Sequence, residues 1–323
     1  MRKRLVYVLA AALVWLAGMM VPAEALEPSH DMKFGITRPQ IWAVSDVTYA
    51  QYFGWPKEFL KMDILQPQMK QRMPAVVFVT GGGFVASTKE NDIQLRVHMA
   101  EAGYFVASVE YRTIPNGIFP DPVVDVKAAV RYLRAHADTF NIDPDRIAVM
   151  GESAGGYLAA MVGASNGDKE FDKGDNLDQS SDVQAVIDFY GLSDLGKVAA
   201  DFPKEEQKKH ESPAALQALF VNGTSFSVKG GGSVADHPEN VQAANPVNYI
   251  SDKTPPFLLM HGDHDRTVSP SQTELLYNAL QEKGISAEHY VVEGAGHADE
   301  YWAQPEVEKV ILDFLDKNLK NKK

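Results

Sequence analysis

The chain has 323 residues, 31 basic side chains against 43 acidic ones, and a formal net charge of −12 at pH 7. That balance argues against nucleic acid or an anionic membrane surface as a partner, while the length suits one large α/β domain with a sizeable core. With no cysteine in the chain, disulfides, a thiol nucleophile, thiolate metal ligation and cysteine lipidation are all excluded.

Taken in order, residues 1–25 read as an export signal. Arg2, Lys3 and Arg4 form a basic start, Leu5 to Val21 an apolar stretch, and Ala23-Glu24-Ala25 a small-x-small cleavage site. The expectation is a periplasmic or secreted protein with no stable membrane anchor once the signal is removed. Ser45–Ala50 and Leu60–Leu65 are predicted as two opening strands, and Ala75–Thr80 as a short apolar strand that wants burial on both faces. A glycine run, Gly81-Gly82-Gly83, follows. A helix is expected over Asn91–Ala102, a strand over Tyr104–Glu110, and a helix N-cap at Asp121 with Pro122 in the first turn. Arg146–Met150 is a strand and Tyr157–Gly163 an apolar run of good helix formers. Strands at Val183–Tyr190, Pro256–His261 and Glu288–Val292 alternate with helices at Ser271–Lys283 and Pro305–Leu319. Such alternation implies right-handed crossovers and a mostly parallel sheet covered by helices on both faces. The basic tail Lys317–Lys323 is expected to be a frayed, solvated helix end. Leu192–Ile250 is long, mixed in polarity and interrupted by Gly230-Gly231-Gly232, which marks it as an insertion capping a site.

The chemistry centres on Gly151-Glu152-Ser153-Ala154-Gly155, set between a strand and a helix. A G-x-S-x-G in that context is a sharp, strained turn that thrusts the serine hydroxyl out at the carboxyl end of the sheet. Serine is a weak nucleophile until a base takes its proton and a third group orients the base. His297, after Gly294-Ala295-Gly296, is the candidate base. Asp263 and Asp265 compete for the third role, with Asp265 preferred; both sit in the loop after the strand ending at Met260. His261 and His264 are rival histidines, read here as hydrogen-bonded loop residues. An acyl oxyanion needs preorganised N–H donors, and Gly82, Gly83 and Ala154 are the candidates.

With these pieces in order, the chain resembles the carboxylesterase branch of the α/β-hydrolase superfamily. It is similar to the hormone-sensitive-lipase-like and bacterial feruloyl- and acetyl-esterase-like (BD-FAE-like) enzymes. The resemblance rests on Gly81-Gly82-Gly83-Phe84, Glu110-Tyr111-Arg112, Gly151 to Gly156, His261 to Asp265, Gly296-His297 and Asn245 to Ile250. It implies the α/β-hydrolase fold over residues 26–323, with 192–250 as the cap, and ester hydrolysis with no metal or cofactor. It departs from the family at Thr80, where a histidine usually precedes the glycines and braces their loop.

The function expected is hydrolysis of short-chain or aromatic acyl esters, the substrate being a small-molecule or polymer-linked ester. A serine peptidase of the prolyl-oligopeptidase type is the nearest rival, but it carries a propeller domain for which this chain lacks room. A non-catalytic hydrolase-fold binding protein is the rival from another class, and such proteins typically lose a member of the Ser153, His297, Asp265 set. The cap aromatics Phe202, Phe220, Phe226 and Tyr249 are expected to serve an aromatic or short acyl ester.

Overall fold

A computed structural model of the chain describes residues 30–53 and 57–320. The proposed export signal at 1–25 lies outside them. Among the described residues no helix is long and apolar enough to cross a membrane.

Among the described residues, eight strands form one sheet: β1 (Ile41–Tyr52), β2 (Glu58–Pro67), β3 (Met73–Val79), β4 (Phe105–Val109), β5 (Ile142–Glu152), β6 (Ala185–Phe189), β7 (Phe257–Gly262) and β8 (Ala287–Val292). Their order is β1-β2-β4-β3-β5-β6-β7-β8. The β1/β2 and β2/β4 pairs are antiparallel, and every pair from β4 through β8 is parallel. This is the mostly parallel sheet expected from the alternation of elements, in the α/β-hydrolase fold that the resemblance implies. The central strands are apolar throughout because both faces are covered. Val77 and Val79 point to one core with helices Asp121–Ala135, Ala154–Ala164 and Ser271–Glu282. Val76 and Phe78 point to the other, with helices Ile93–Glu101 and Pro305–Leu315. The two-residue period of the strand thus feeds two separate cores.

Two local expectations are corrected. Asp121 is not an N-cap: the carbonyl of Pro120 accepts from the Val123 and Val124 N–H groups, so the helix begins one residue earlier. The Asp121 carboxylate is drawn away to Arg112, 3.3 Å distant. The tail is not frayed as far as residue 320. Leu319 is fully buried, and Lys320 donates to the carbonyl of Ala102 at 2.9 Å.

The segment 192–250 holds three short helices, Lys204–His210, Leu216–Asn222 and Pro238–Ala243, and a 3-10 turn at Pro246–Tyr249. It is tied down from beneath. Phe220 stacks on Phe84 with ring centroids 3.9 Å apart, and the hydroxyl of Tyr157 on the Ala154–Ala164 helix donates to the Ala244 carbonyl at 2.7 Å.

Candidate active site

Gly81–Gly83, Ser153, Asp265 and His297 follow β3, β5, β7 and β8 respectively, all at the carboxyl edge of the parallel strands. The turn at Ser153 is as tight as its glycines suggest. A Cβ on Gly155 would lie 2.0 Å from the Val79 carbonyl oxygen, and one on Gly151 would lie 2.2 Å from that of Gly155. No side chain is compatible with either spacing. Ser153 pays with φ 53°, ψ −120°, an unfavourable region for a residue with a Cβ. Its N–H donates to the Phe189 carbonyl at 2.8 Å and its carbonyl accepts from Tyr157 N–H at 3.0 Å, which holds the strain in place.

Ser153, His297 and Asp265 form one hydrogen-bonded chain. His297 Nδ1 lies 2.7 Å from Asp265 Oδ2, and His297 Nε2 lies 2.9 Å from Ser153 Oγ. A carboxylate only accepts, so Nδ1 carries the imidazole proton and Nε2 is free to accept from the serine hydroxyl. Asp265 is buried, and its other oxygen accepts from the Thr267 and Val268 N–H groups at 2.7 and 3.0 Å. Burial works against its charge. The hydrogen bonds from His261 and His297, the charge interaction with His297 and the Val268 N–H together outweigh burial and hold the carboxyl well below the usual carboxylate range. Asp265 is therefore ionised and fixed in orientation.

The rivals are placed elsewhere. Asp263 is exposed and accepts from Gly294 N–H at 2.7 Å, which fastens the β7 loop to the loop carrying His297. His264 is exposed, and its N–H donates to the Ala295 carbonyl in the same loop pair. His261 is buried at the end of β7. Its Nε2 faces two acceptors, Asp265 Oδ2 and the Val268 carbonyl, each at 3.1 Å, so it carries the proton, and Nδ1 accepts from the Thr273 hydroxyl at 2.6 Å. It buttresses the carboxylate from behind.

Among the described residues, the N–H groups of Gly82, Gly83 and Ala154 donate to no protein acceptor. They border the space above Ser153. Gly82 has φ 141°, and a Cβ there would strike the Ala86 carbonyl oxygen at 2.3 Å, so the loop closes only with glycine. Thr80 is buried, its hydroxyl has no partner, and it makes no brace. Tyr111 braces the loop instead. Its hydroxyl donates to the Thr80 carbonyl at 3.0 Å, and its N–H donates to Ser87 Oγ at 2.9 Å.

Sequence reasoning passed over a second group. Glu152, beside Ser153, accepts from the Tyr190 hydroxyl at 2.6 Å and meets the Asp92 side chain and the Gly81 N–H. Burial first, and then the neighbouring Asp92, push its carboxyl up to about 8. The Tyr190 ring packs on His297 with centroids 4.8 Å apart and on Trp302 at 4.6 Å. The motif position of Glu152 was the only sequence signal for this group.

Two cavities open from Ser153. The larger, about 770 Å³, is bordered by Asp92, Glu152, Tyr190, His297, Asp299 and Trp302 among others. The smaller, about 170 Å³, is bordered by Phe84, Ala154, Leu192, Val198, Leu216 and Val268 among others. None of the cap aromatics Phe202, Phe220, Phe226 or Tyr249 borders either cavity. Phe202 and Phe220 are buried in cap packing, and Phe226 points fully into solvent. The aromatic residues that border the larger cavity, Phe78, Phe189, Tyr190 and Trp302, lie outside the cap and are almost fully buried.

Comparison with known proteins finds esterases. Esterase LipQ of Mycobacterium tuberculosis is 28% identical over 76% of this chain and 55% of its own length. Isoprenylcysteine alpha-carbonyl methylesterase ICME of Arabidopsis thaliana is 28% identical over 76% of this chain and 55% of its own. The chain thus spans about half the length of the curated relatives it matches. Among solved structures, a truncated carbohydrate esterase from gut microbiota superimposes with TM-score 0.75 at 26% identity, covering 88% of this chain and 98% of that one. Esterase 2 of Thermogutta terrifontis, phosphoramylated by tabun, superimposes with TM-score 0.67 at 25% identity, covering 87% and 97%. The sequence profile of BD-FAE matches residues 62–280, which runs from the second strand through the elbow and the cap to the helix after Asp265, and the chain belongs to that family.

Proposed function

We propose that the protein is an exported serine carboxylic-ester hydrolase acting on short-chain acyl esters through an acyl-enzyme. The single observation that carries this reading is the unbroken chain from Ser153 Oγ through His297 to the buried, ionised Asp265. Ser153 attacks the ester carbonyl as its proton passes to His297 Nε2, and the oxyanion is met by the N–H groups of Gly82, Gly83 and Ala154. His297 then gives that proton to the departing alkoxide. A water, deprotonated by His297, attacks the Ser153 ester, and the acid leaves with the serine hydroxyl restored. The esterase names of the relatives and of both solved structures support the reaction class. Export rests on the basic, apolar and Ala23-Glu24-Ala25 pattern, and intact-mass analysis of the exported protein should give Leu26 as its first residue.

The test is hydrolysis of 4-nitrophenyl acetate by the wild type and Ser153→Ala, with mass spectrometry of a fluorophosphonate adduct. A wild type that turns over the ester and is labelled on Ser153 agrees with the proposal. Equal turnover by Ser153→Ala, or labelling at another residue, refutes it.

A further inference from the structure

Tyr190 is fully buried, and its ring lies against the imidazole of His297, with centroids 4.8 Å and planes 59° apart. A residue so placed reaches the reaction only through the base. Resting on the ester-hydrolase reading above, we infer that Tyr190 is a positioning residue: with its neighbour Phe189 it forms a two-residue strap that sets His297 Nε2 against Ser153 Oγ. The strap holds both partners of the proton transfer. The Phe189 carbonyl accepts from the Ser153 N–H at 2.8 Å, and the next residue supplies the ring on which His297 packs. The Tyr190 N–H donates at 2.8 Å to the carbonyl of Met260, on the strand whose following loop carries Asp265. Nucleophile, base and acid are thus all referred to one point just past the end of β6.

The need for such a strap follows from the base itself. The bond to Asp265 fixes one atom of the imidazole, Nδ1. One fixed atom leaves the ring free to pivot, and a pivot carries Nε2 away from Ser153 Oγ, 2.9 Å distant. The loop before His297 contains Gly294 and Gly296, so its main chain resists little. The Tyr190 ring blocks the pivot from one side. To stand there Tyr190 adopts φ 41°, unfavourable for a bulky side chain. Three contacts besides the Met260 bond keep it in place. Its hydroxyl donates to Glu152 Oε2 at 2.6 Å, and its ring packs on Trp302 at 4.6 Å and on Phe189 at 6.1 Å. Glu152 immediately precedes Ser153, so the hydroxyl is tied to the turn that carries the nucleophile. Trp302 also acts on the base's own loop, since its indole N–H donates to the Gly296 carbonyl at 3.0 Å. Strain that several contacts over-determine marks a position kept for its geometry. Filling the core would require neither the left-handed backbone nor the hydroxyl.

Measurement of kcat/KM on two esters, with a melting curve for each variant, tests the strap. Nitrophenoxide leaves without a proton, whereas ethoxide leaves only as it takes the proton that His297 Nε2 received from Ser153. A displaced base therefore harms ethyl acetate more than 4-nitrophenyl acetate, while loss of packing alone lowers both by the same factor, in step with the melting temperature. Displacement by about 1 Å is worth about a hundredfold, so Tyr190→Leu should lose about that much on 4-nitrophenyl acetate. On ethyl acetate it should lose about a thousandfold, the proton delivery being impaired as well. Tyr190→Phe keeps the ring and gives up the hydroxyl, and it should restore both esters to within about tenfold of wild type. Should Tyr190→Leu fail to fold, Trp302→Phe reads the other arm. It keeps an aromatic ring behind Tyr190, drops the bond to Gly296, and should lose about tenfold on ethyl acetate and less on 4-nitrophenyl acetate. A folded Tyr190→Leu within tenfold of wild type on ethyl acetate overturns the strap. So do equal losses on the two esters, a Tyr190→Phe as impaired as Tyr190→Leu, or, where only Trp302→Phe can be read, an equal loss or none. Failure of the ester reading shows elsewhere, in a wild type that turns over neither ester or in Ser153→Ala that retains turnover.

Discussion

Asp265→Asn isolates what the carboxylate contributes to the reaction. The amide oxygen can occupy the position of Oδ1 and keep the Thr267 and Val268 N–H bonds. The amide nitrogen then stands where Oδ2 stood, facing His297 Nδ1 and His261 Nε2. A donor there no longer accepts from either imidazole. His261 tolerates the change, because its Nε2 proton still has the Val268 carbonyl at 3.1 Å to donate to. His297 does not, because its proton moves to Nε2, the atom that must accept from Ser153. The reverse amide orientation sets an NH₂ against two backbone N–H groups and is no better. Turnover should fall about ten-thousandfold, the cost of the same tautomer error in a serine protease, with thermal stability little changed. Asp265→Ala is the less informative variant. It strands the buried Val268 N–H, at about 1–3 kcal/mol for the unpaired group, out of a total stability of about 5–15 kcal/mol. The assay is steady-state hydrolysis of 4-nitrophenyl acetate with a melting curve on the same sample. An Asn variant within tenfold of wild type refutes this account of the relay. A larger loss from Asp263→Asn refutes the choice of acid.

Ser153→Ala should lose on the order of a millionfold in turnover and fold normally, and any loss below a hundredfold counts against the nucleophile. Glu152 ionises as pH rises through about 8, adding negative charge beside the developing oxyanion. Activity should therefore fall on the alkaline side, and Glu152→Gln, which mimics the neutral acid, should remove that limb of the profile; an unchanged limb sinks the idea. Asp188 is fully buried, one of its oxygens has no partner, and burial raises its carboxyl to about 7 from an ordinary 3.8. Between those values the folded chain holds a proton that the unfolded chain has lost, so stability is present below pH 3.8 and declines as pH rises to about 7, by at most about 4 kcal/mol. Asp188→Asn should melt higher than wild type at pH 8 and lose that advantage at pH 4, as urea titrations at the two pH values would reveal.

The parts of the site legible in the sequence are those fixed by local backbone demands. Gly151 and Gly155 are dictated by approaches of 2.2 and 2.0 Å within a five-residue turn, and a turn that tight announces itself. Asp265 and His297 lie in short loops directly after apolar strands, so knowing the strands fixes their edge of the sheet. The relation of Glu152 to Tyr190 spans 38 positions and depends on β5 and β6 lying side by side, which no local pattern encodes. The cap failed for a related reason. Phe220 and Phe226 look alike as residues in a polar segment, yet one stacks on Phe84 and the other is wholly in solvent.

Thr80 illustrates how a departure from a family pattern can be absorbed. The brace missing at residue 80 is supplied by Tyr111, in the loop after the adjacent strand, and it works on the backbone. The Tyr111 hydroxyl holds the Thr80 carbonyl at 3.0 Å and reaches the Ala86 carbonyl at 3.3 Å, gripping both ends of the glycine loop. Phe84 anchors the loop's middle between Phe220 and Tyr157. Tyr157 belongs to the helix that follows Ser153, and Phe220 to the cap helix that begins with Leu216. One aromatic stack thus joins the oxyanion loop, the nucleophile's helix and the cap. On the proposed reading, a change in cap packing is for that reason felt at the donors of Gly82 and Gly83 as well as at the wall of the smaller cavity.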